Sequence, residues 1–235
     1  MARSVGRPRT SNRPRGDVSA RDEILLAAAS LMARSGYAGT STRQIAEEVG
    51  LTQSTLYHYF GSKREILSTL WMDILEAPLN LVARLLEADG QPIARLHGLV
   101  WFDVTQMQES QYNYGSLYLL PEIRRPEFAH IAKARTTLRE FYARLTSRAL
   151  QEGQSQSDLG LVHLPYMMVE SIVFARANEQ ELGFTGQELA DAAVRAIGLG
   201  PLSTSEVSAS RDIVEAAGVE LRLLQAPALK RGLRP

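Results

Sequence analysis

The chain has 235 residues, 45% of them hydrophobic and 22% charged, an ordinary globular composition long enough for one large core or for a small domain joined to a larger one. It contains no cysteine, which excludes disulfides and thiolate metal sites and leaves the compartment unreadable from redox logic. Formal net charge is zero but partitioned: residues 1–70 carry ten Lys or Arg against six Asp or Glu and the remainder sixteen against twenty, so a basic head is joined to a mildly acidic body.

Residues 1–16 contain Arg3, Arg7, Arg9, Arg13 and Arg15 with no acidic residue. Gly6-Arg7-Pro8-Arg9 resembles the arginine-proline core of an AT-hook, in which proline keeps the strand slim and extended enough for arginine to enter a narrow minor groove. The plainer reading is a solvated, disordered tail, which the arm is when free. This Arg-rich start lacks the apolar stretch of a signal peptide, and no apolar run approaches the ~20 residues of a membrane span, so a cytoplasmic protein without a membrane partner is expected.

From Ser41 to Phe60 the spacing predicts a helix-turn-helix. Ser41 opens the first helix with Gln44 as its capping-box partner, and Gly50 ends it in a left-handed turn. Thr52 caps a second short helix that packs inward through Leu56 and Phe60, while Ile45, Ala46, Val49 and Leu51 supply the shared apolar contact. Stepping 100° per residue from Leu56 puts Ser54 and His58 on the opposite side and Thr55 and Tyr57 on its flanks. That face is all hydrogen-bonding groups without fixed negative charge, and Gln53 stands at the helix start, where such motifs meet base edges in the major groove. An amphipathic pair that merely meets water is the alternative. Ser62 and Glu65 predict a second capping box, with Lys63 and Arg64 placed where a phosphate strand would run.

The body reads as helices with almost no strand signal. Ile66, Leu67, Leu70, Trp71, Ile74 and Leu75 recur at helical spacing, and Pro78 is expected to break or kink that helix. Further helical patterns cover residues 93–108, 111–119, 127–152, 159–181 and 187–197, punctuated by Pro92, Pro121, Pro126, Gly153 and the stretch 183–186. After residue 200 only 207–224 is weakly periodic, and a partly ordered tail is expected. No internal repeat is visible. No nucleophile elbow, Ser-His-Asp order or phosphate-cradling glycine loop supports an enzyme, and His97, His130 and His163 lack carboxylates at metal-ligand spacing, so neither a metal site nor a cofactor is expected.

The run from Arg21 to Lys63 resembles the DNA-binding domain of the TetR/AcrR family of bacterial transcriptional regulators. The resemblance rests on Gly36-Tyr37-Ala38-Gly39-Thr40-Ser41-Thr42, Ile45-Ala46-Glu47-Glu48-Val49-Gly50-Leu51, Ser54-Thr55-Leu56-Tyr57-His58-Tyr59-Phe60 and Ser62-Lys63-Arg64-Glu65. It implies an all-α fold: a basic arm at 1–18, a three-helix head at 19–64, a ligand-binding and dimerisation body at 65–199 and a tail at 200–235. Thr42, Arg43, Thr52, Gln53, Ser54 and Thr55 would then face double-stranded DNA, and Tyr57 and Lys63 would hold phosphates. His58 and Tyr59 would touch the backbone, Tyr59 partly packing. Gln53 stands where many relatives have lysine, and glutamine can pair with adenine through two hydrogen bonds.

The resemblance also implies a homodimer reading a palindromic operator through successive major grooves, with its interface on the helices at 159–181 and 187–197, where Ala190, Ala192, Ala193 and Ala196 permit close approach. It implies a repressor released by a small effector; an activator, or a regulator answering to acyl-CoA through Arg124 and Arg125, has the same fold. A helical enzyme carrying a DNA-binding head is a more distant alternative. The candidate pocket is partly apolar: Trp101, Phe102, Met107, Tyr112, Tyr114, Tyr118, Phe128, Tyr142, Met167 and Met168 crowd the middle helices, although residues of this kind at this spacing also serve as plain core. Arg124 and Arg125 could equally form a solvated turn or a salt bridge.

Overall fold

The computed structural model describes residues 19–110, 117, 119–153, 159–178 and 181–219, and among these the chain is helical with no strand. The arm, the tail beyond residue 219 and most of the helix expected at 111–119 lie outside the described residues.

The head is built by local signals. Ser19 caps α1 (Ala20–Gly39) through the N–H of Asp22, and Ile24, Leu25, Ala28 and Met32 form its buried side. Gly36 takes φ 71°, a conformation that disfavours a Cβ, and turns the end of α1 toward the next element. Ser41 and Gln44 form both halves of the capping box that opens α2 (Thr42–Glu48). Gly50 makes the left-handed turn at φ 69°, and Thr52 caps α3 (Gln53–Tyr59) through the N–H of Thr55. Ile45, Ala46, Leu56 and Phe60 are all buried between these helices, as the spacing requires.

Two expectations about α4 (Lys63–Glu87) are narrowed. Ser62 caps Glu65 as expected, but the Glu65 carboxylate accepts from the N–H of Gly61 at 2.8 Å, so the return bond is shifted by one residue. The extended backbone at Ser62, φ −162°, presents the preceding N–H instead of its own. Pro78 does not break the helix, which continues to Glu87. Proline removes the N–H that would bond to the carbonyl of Ile74, and the amide of Gln106 supplies a substitute donor at 3.0 Å. Among the described residues α4 is also the one helix apolar and long enough to cross a bilayer. Its Leu67, Leu70, Trp71, Ile74, Leu81 and Leu85 are instead buried in this core.

The body is arranged around α5 (Pro92–Glu109), which touches α4, α6 (Ala129–Glu152), α7 (Leu164–Ala177), α8 (Gly186–Ala196) and α9 (Thr204–Ala216). Two 3-10 turns, Pro121–Arg124 and Pro126–Phe128, lead into α6, and a third at Leu159–His163 replaces the first turn of the helix expected from residue 159. α9 falls in the range expected to be only partly ordered. It docks on α5 over Gly98, where a Cβ would lie 2.8 Å from the carbonyl oxygen of Ser210 and from a methyl of Val214. The buried His97 stitches the same contact, with Nδ1 2.9 Å from Ser210 Oγ and Nε2 3.1 Å from Asp191.

Helix C-termini, whose last carbonyls lack helical partners, are capped by cations from neighbouring elements. Arg95 donates to Leu85 and Ala88 and Arg148 to Leu86 at the end of α4. Arg176 donates to Met107, Gln108 and Ser110 at the end of α5. Arg84 reaches Ala217 just after α9.

Candidate nucleic-acid interface and interior of the body

α3 is held by Leu56 and Phe60, which are buried, and turns Gln53, Ser54, Tyr57, His58 and Tyr59 outward. Tyr57 is 47% and Tyr59 42% exposed, so Tyr59 packs less than its wheel position suggests. Thr52 Oγ1 lies 2.9 Å from Ser54 Oγ and 2.8 Å from Thr55 Oγ1, a hydroxyl cluster at the helix start. Across the turn, Gln53 Nε2 donates to Thr42 Oγ1 at 3.0 Å, and Thr42 Oγ1 stands 3.2 Å from the Tyr57 hydroxyl. Arg43 is exposed on α2 and pairs with Glu47 one turn on at 2.8 Å, a surface pair that a phosphate can replace at little cost. The structure thus brings Thr42, Gln53 and Tyr57 together and clusters Thr52, Ser54 and Thr55 beside them, Thr42 and Thr55 half-buried, while Arg43, His58 and Tyr59 are exposed on the same two helices. Arg7 and Arg9 lie outside the described residues.

Lys63 stands apart from this group. Its ammonium donates to the carbonyls of Tyr37 and Thr40, each at 2.6 Å, and sits 4.2 Å from the centre of the Tyr37 ring. It caps the end of α1, and partial burial pulls its pKa below the usual lysine value, with Glu122 pulling the other way. At this corner the N–H groups of Lys63 and Arg64 precede the first intrahelical bond of α4, and the Arg64 side chain is exposed. The Tyr37 ring meets Phe128 edge to face at 6.1 Å, so the 3-10 connector of the body closes directly on the head.

Among the described residues, the candidate pocket residues are divided between the packed core and a cleft. Phe102, Phe128 and Tyr142 are buried core, and Met107 and Met168 are half-buried against it. Trp101 lines a cleft of about 740 Å³ with Thr105, Gln108, Phe184, Gln187 and Arg211, at the α5 end of the body. Tyr112, Tyr114 and Tyr118 lie outside the described residues. Arg124 borders a second cleft of about 290 Å³ with Leu119, Ile123 and Phe174, whereas Arg125 turns to Glu122 at 3.7 Å, so the two arginines do not form a paired clamp.

The interior holds polar contacts that spacing did not predict. Asp103 accepts from the Tyr142 hydroxyl at 2.9 Å, and burial pushes its carboxyl from 3.8 up to about 7, against the hydrogen bond and with help from the charge of Glu170. Burial, followed by the neighbouring Asp103, raises the Tyr142 phenol. Tyr142 stands among the candidate pocket residues, but its pairing with Asp103 follows from which helices meet, which spacing does not give. His97, Ser210 and Asp191 are the residue types of a hydrolytic triad, but His97 and Ser210 are each only 1% exposed, and the Ser210 hydroxyl lies 2.8 Å from the carbonyl of Val207. No substrate reaches them, and their work is to hold α5, α8 and α9 together. Burial lowers the His97 pKa, and Asp191 opposes that shift.

The family model for bacterial regulatory proteins of the tetR family matches residues 24–70, most of the head and the first turns of α4. The crystal structure of Mycobacterium smegmatis AmtR is 35% identical, with 88% of this chain and 98% of that one covered and a TM-score of 0.78. Among curated proteins, the HTH-type transcriptional repressor KstR2 of Mycobacterium tuberculosis is 24% identical over 156 residues, 64% of this chain and 76% of that protein. The ketosteroid regulator structure of KstR2, at 22% identity and a TM-score of 0.60, shares the fold.

Proposed function

The chain belongs to the TetR family of bacterial regulatory proteins and is a DNA-binding transcriptional regulator and not an enzyme; from that premise we propose that it represses transcription as a two-fold dimer on a palindromic operator. A small, partly apolar effector entering the body releases it. The single observation that carries the proposal is the outward polar face of α3, anchored from behind by Leu56 and continued by Thr42 and Arg43 of α2. One such head covers only a few base pairs, so two heads spaced by a helical turn of DNA, about 34 Å, are needed for genomic specificity. The relatedness to the repressor KstR2 supports the repressing sign. The protein acts in the cytoplasm, on the nucleoid.

Release follows from the shared helix. α4 starts in the head at Lys63 and runs through the core of the body, so a shift of the body displaces the head. A coupling of about 1–3 kcal/mol changes operator affinity by roughly 5–150-fold. The test is a gel shift with the full chain on the intergenic DNA beside its own gene, over a salt series, with and without hydrophobic metabolites. A specific complex that weakens linearly in log salt and dissolves with one metabolite is expected. A chain that shifts this DNA no better than unrelated DNA refutes the proposal.

A further inference from the structure

Gln53, Thr42 and Tyr57 form a closed triangle on the exposed face. Gln53 Nε2 lies 3.0 Å from Thr42 Oγ1 and 3.5 Å from the Tyr57 hydroxyl, and the two hydroxyl oxygens are 3.2 Å apart. The sides are nearly equal, so both oxygens lie on one side of the amide nitrogen, within the sweep of a single N–H. The second N–H and Oε1 remain available outward.

A hydroxyl can donate or accept, so the triangle alone has no direction. A phosphate oxygen supplies one, because it only accepts. With the Tyr57 hydroxyl donating to phosphate, its oxygen accepts from the Thr42 hydroxyl. The Thr42 oxygen is then left to accept, and the one donor on Gln53 is its amide nitrogen. The amide is locked with Nε2 inward, and the outward pair is one donor and one acceptor, the complement of adenine N7 and N6–H. Reversed, with Oε1 inward, the amide would show two donors outward, the complement of the two acceptors of guanine, N7 and O6.

We propose that Thr42 and Tyr57 form a hydroxyl relay that lets a backbone phosphate fix the orientation of the Gln53 amide, so that this regulator selects adenine over guanine at one position of each half-site. The inference rests on the DNA-binding reading above. Thr42 is a positioning residue: it sets what Gln53 presents and does not itself read the base.

The experiment is a selection from a randomised operator pool with the full chain and with Thr42→Val, Tyr57→Phe, the double variant and Gln53→Ala, followed by affinity measurements on the paired adenine and guanine operators. Wild type is expected to favour adenine by roughly 5–150-fold. Thr42→Val keeps the side-chain shape and carries no charge, so it should leave the salt dependence unchanged while lowering the adenine-to-guanine ratio. The double variant should bring the ratio near one, as Gln53→Ala does. A double variant that retains the wild-type ratio overturns the relay while the DNA reading stands. A wild-type chain that enriches no sequence at all overturns the DNA reading, and the relay with it.

Discussion

Asp103 is an ionisable group that the body holds in a state it would not keep in water. It is 1% exposed, its Oδ2 accepts from Tyr142, and its Oδ1 has no partner among the described residues. The unfolded chain releases this proton near 3.8 and the folded chain near 7, so the native state binds it more tightly. The stability contributed by that proton is fully present below 3.8 and is lost as pH rises to about 7. Asp103→Asn keeps the acceptor for Tyr142 and removes the titration. Its unfolding midpoint minus that of wild type should therefore climb across this window, by an amount on the order of a few kcal/mol in stability. The difference is the right readout because Glu188 and Glu206, whose pKa values are lowered from 4.5 by the capping hydrogen bonds from Thr185 and Ser203, give stability that is lost as pH falls from about 4.5, inside the same window. A flat difference across the window would mean that Asp103 ionises in the folded protein as it does in water. Nothing in the one-dimensional pattern marks Asp103 as unusual, since its burial is created by α6 arriving from 39 residues away.

Elements divide by how far their causes reach. The capping boxes, the left-handed Gly50 and the inward Leu56 all act within four residues or so, which is why α2 and α3 and the outward face of α3 were readable from spacing. Pro78 has the same local signature as a helix break, yet α4 continues because Gln106 on another helix replaces the missing donor. That explanation can be checked by a double-mutant cycle. Gln106→Leu strands the carbonyl of Ile74 and should cost about 1–3 kcal/mol in urea unfolding. Pro78→Ala restores a helical N–H to that carbonyl, so in its background the Gln106→Leu cost should fall by about 1 kcal/mol. The gain from removing the unpartnered Gln106 Oε1 is common to both backgrounds and cancels. Strict additivity would show that Gln106 is not what sustains the helix. Lys63 teaches the converse lesson: its family position suggests a phosphate ligand, and its ammonium also closes the end of α1 on the carbonyl of Tyr37, 26 residues earlier, a contact that local spacing does not reveal.

For the whole molecule the question is what covers the outer side of α7. Met167, Ser171 and Phe174 recur one helical turn apart, and Met167 and Phe174 remain 61% and 53% exposed, although both are large and apolar. Of the small residues expected to line a dimer contact, Ala190 and Ala193 are buried within the single chain, whereas Ala192 is half-buried and Ala196 exposed. The sequence pattern could not separate these two pairs, because small residues serve intramolecular and intermolecular packing alike. A second copy docked by a two-fold axis on the α7 stripe would bury the exposed side chains. Phe174→Glu places a carboxylate in that contact and, near the axis, opposes it to its own copy. Because Phe174 is half in solvent within the single chain, the fold should survive with an unfolding midpoint close to that of wild type. Sedimentation should then show a monomer, and operator affinity should fall by roughly 10²–10⁴-fold as the two heads lose their linkage. The residual binding to a single half-site should keep the wild-type base preference, since α3 is untouched. A Phe174→Glu chain that stays dimeric and binds the operator at full strength would place the interface elsewhere on the body.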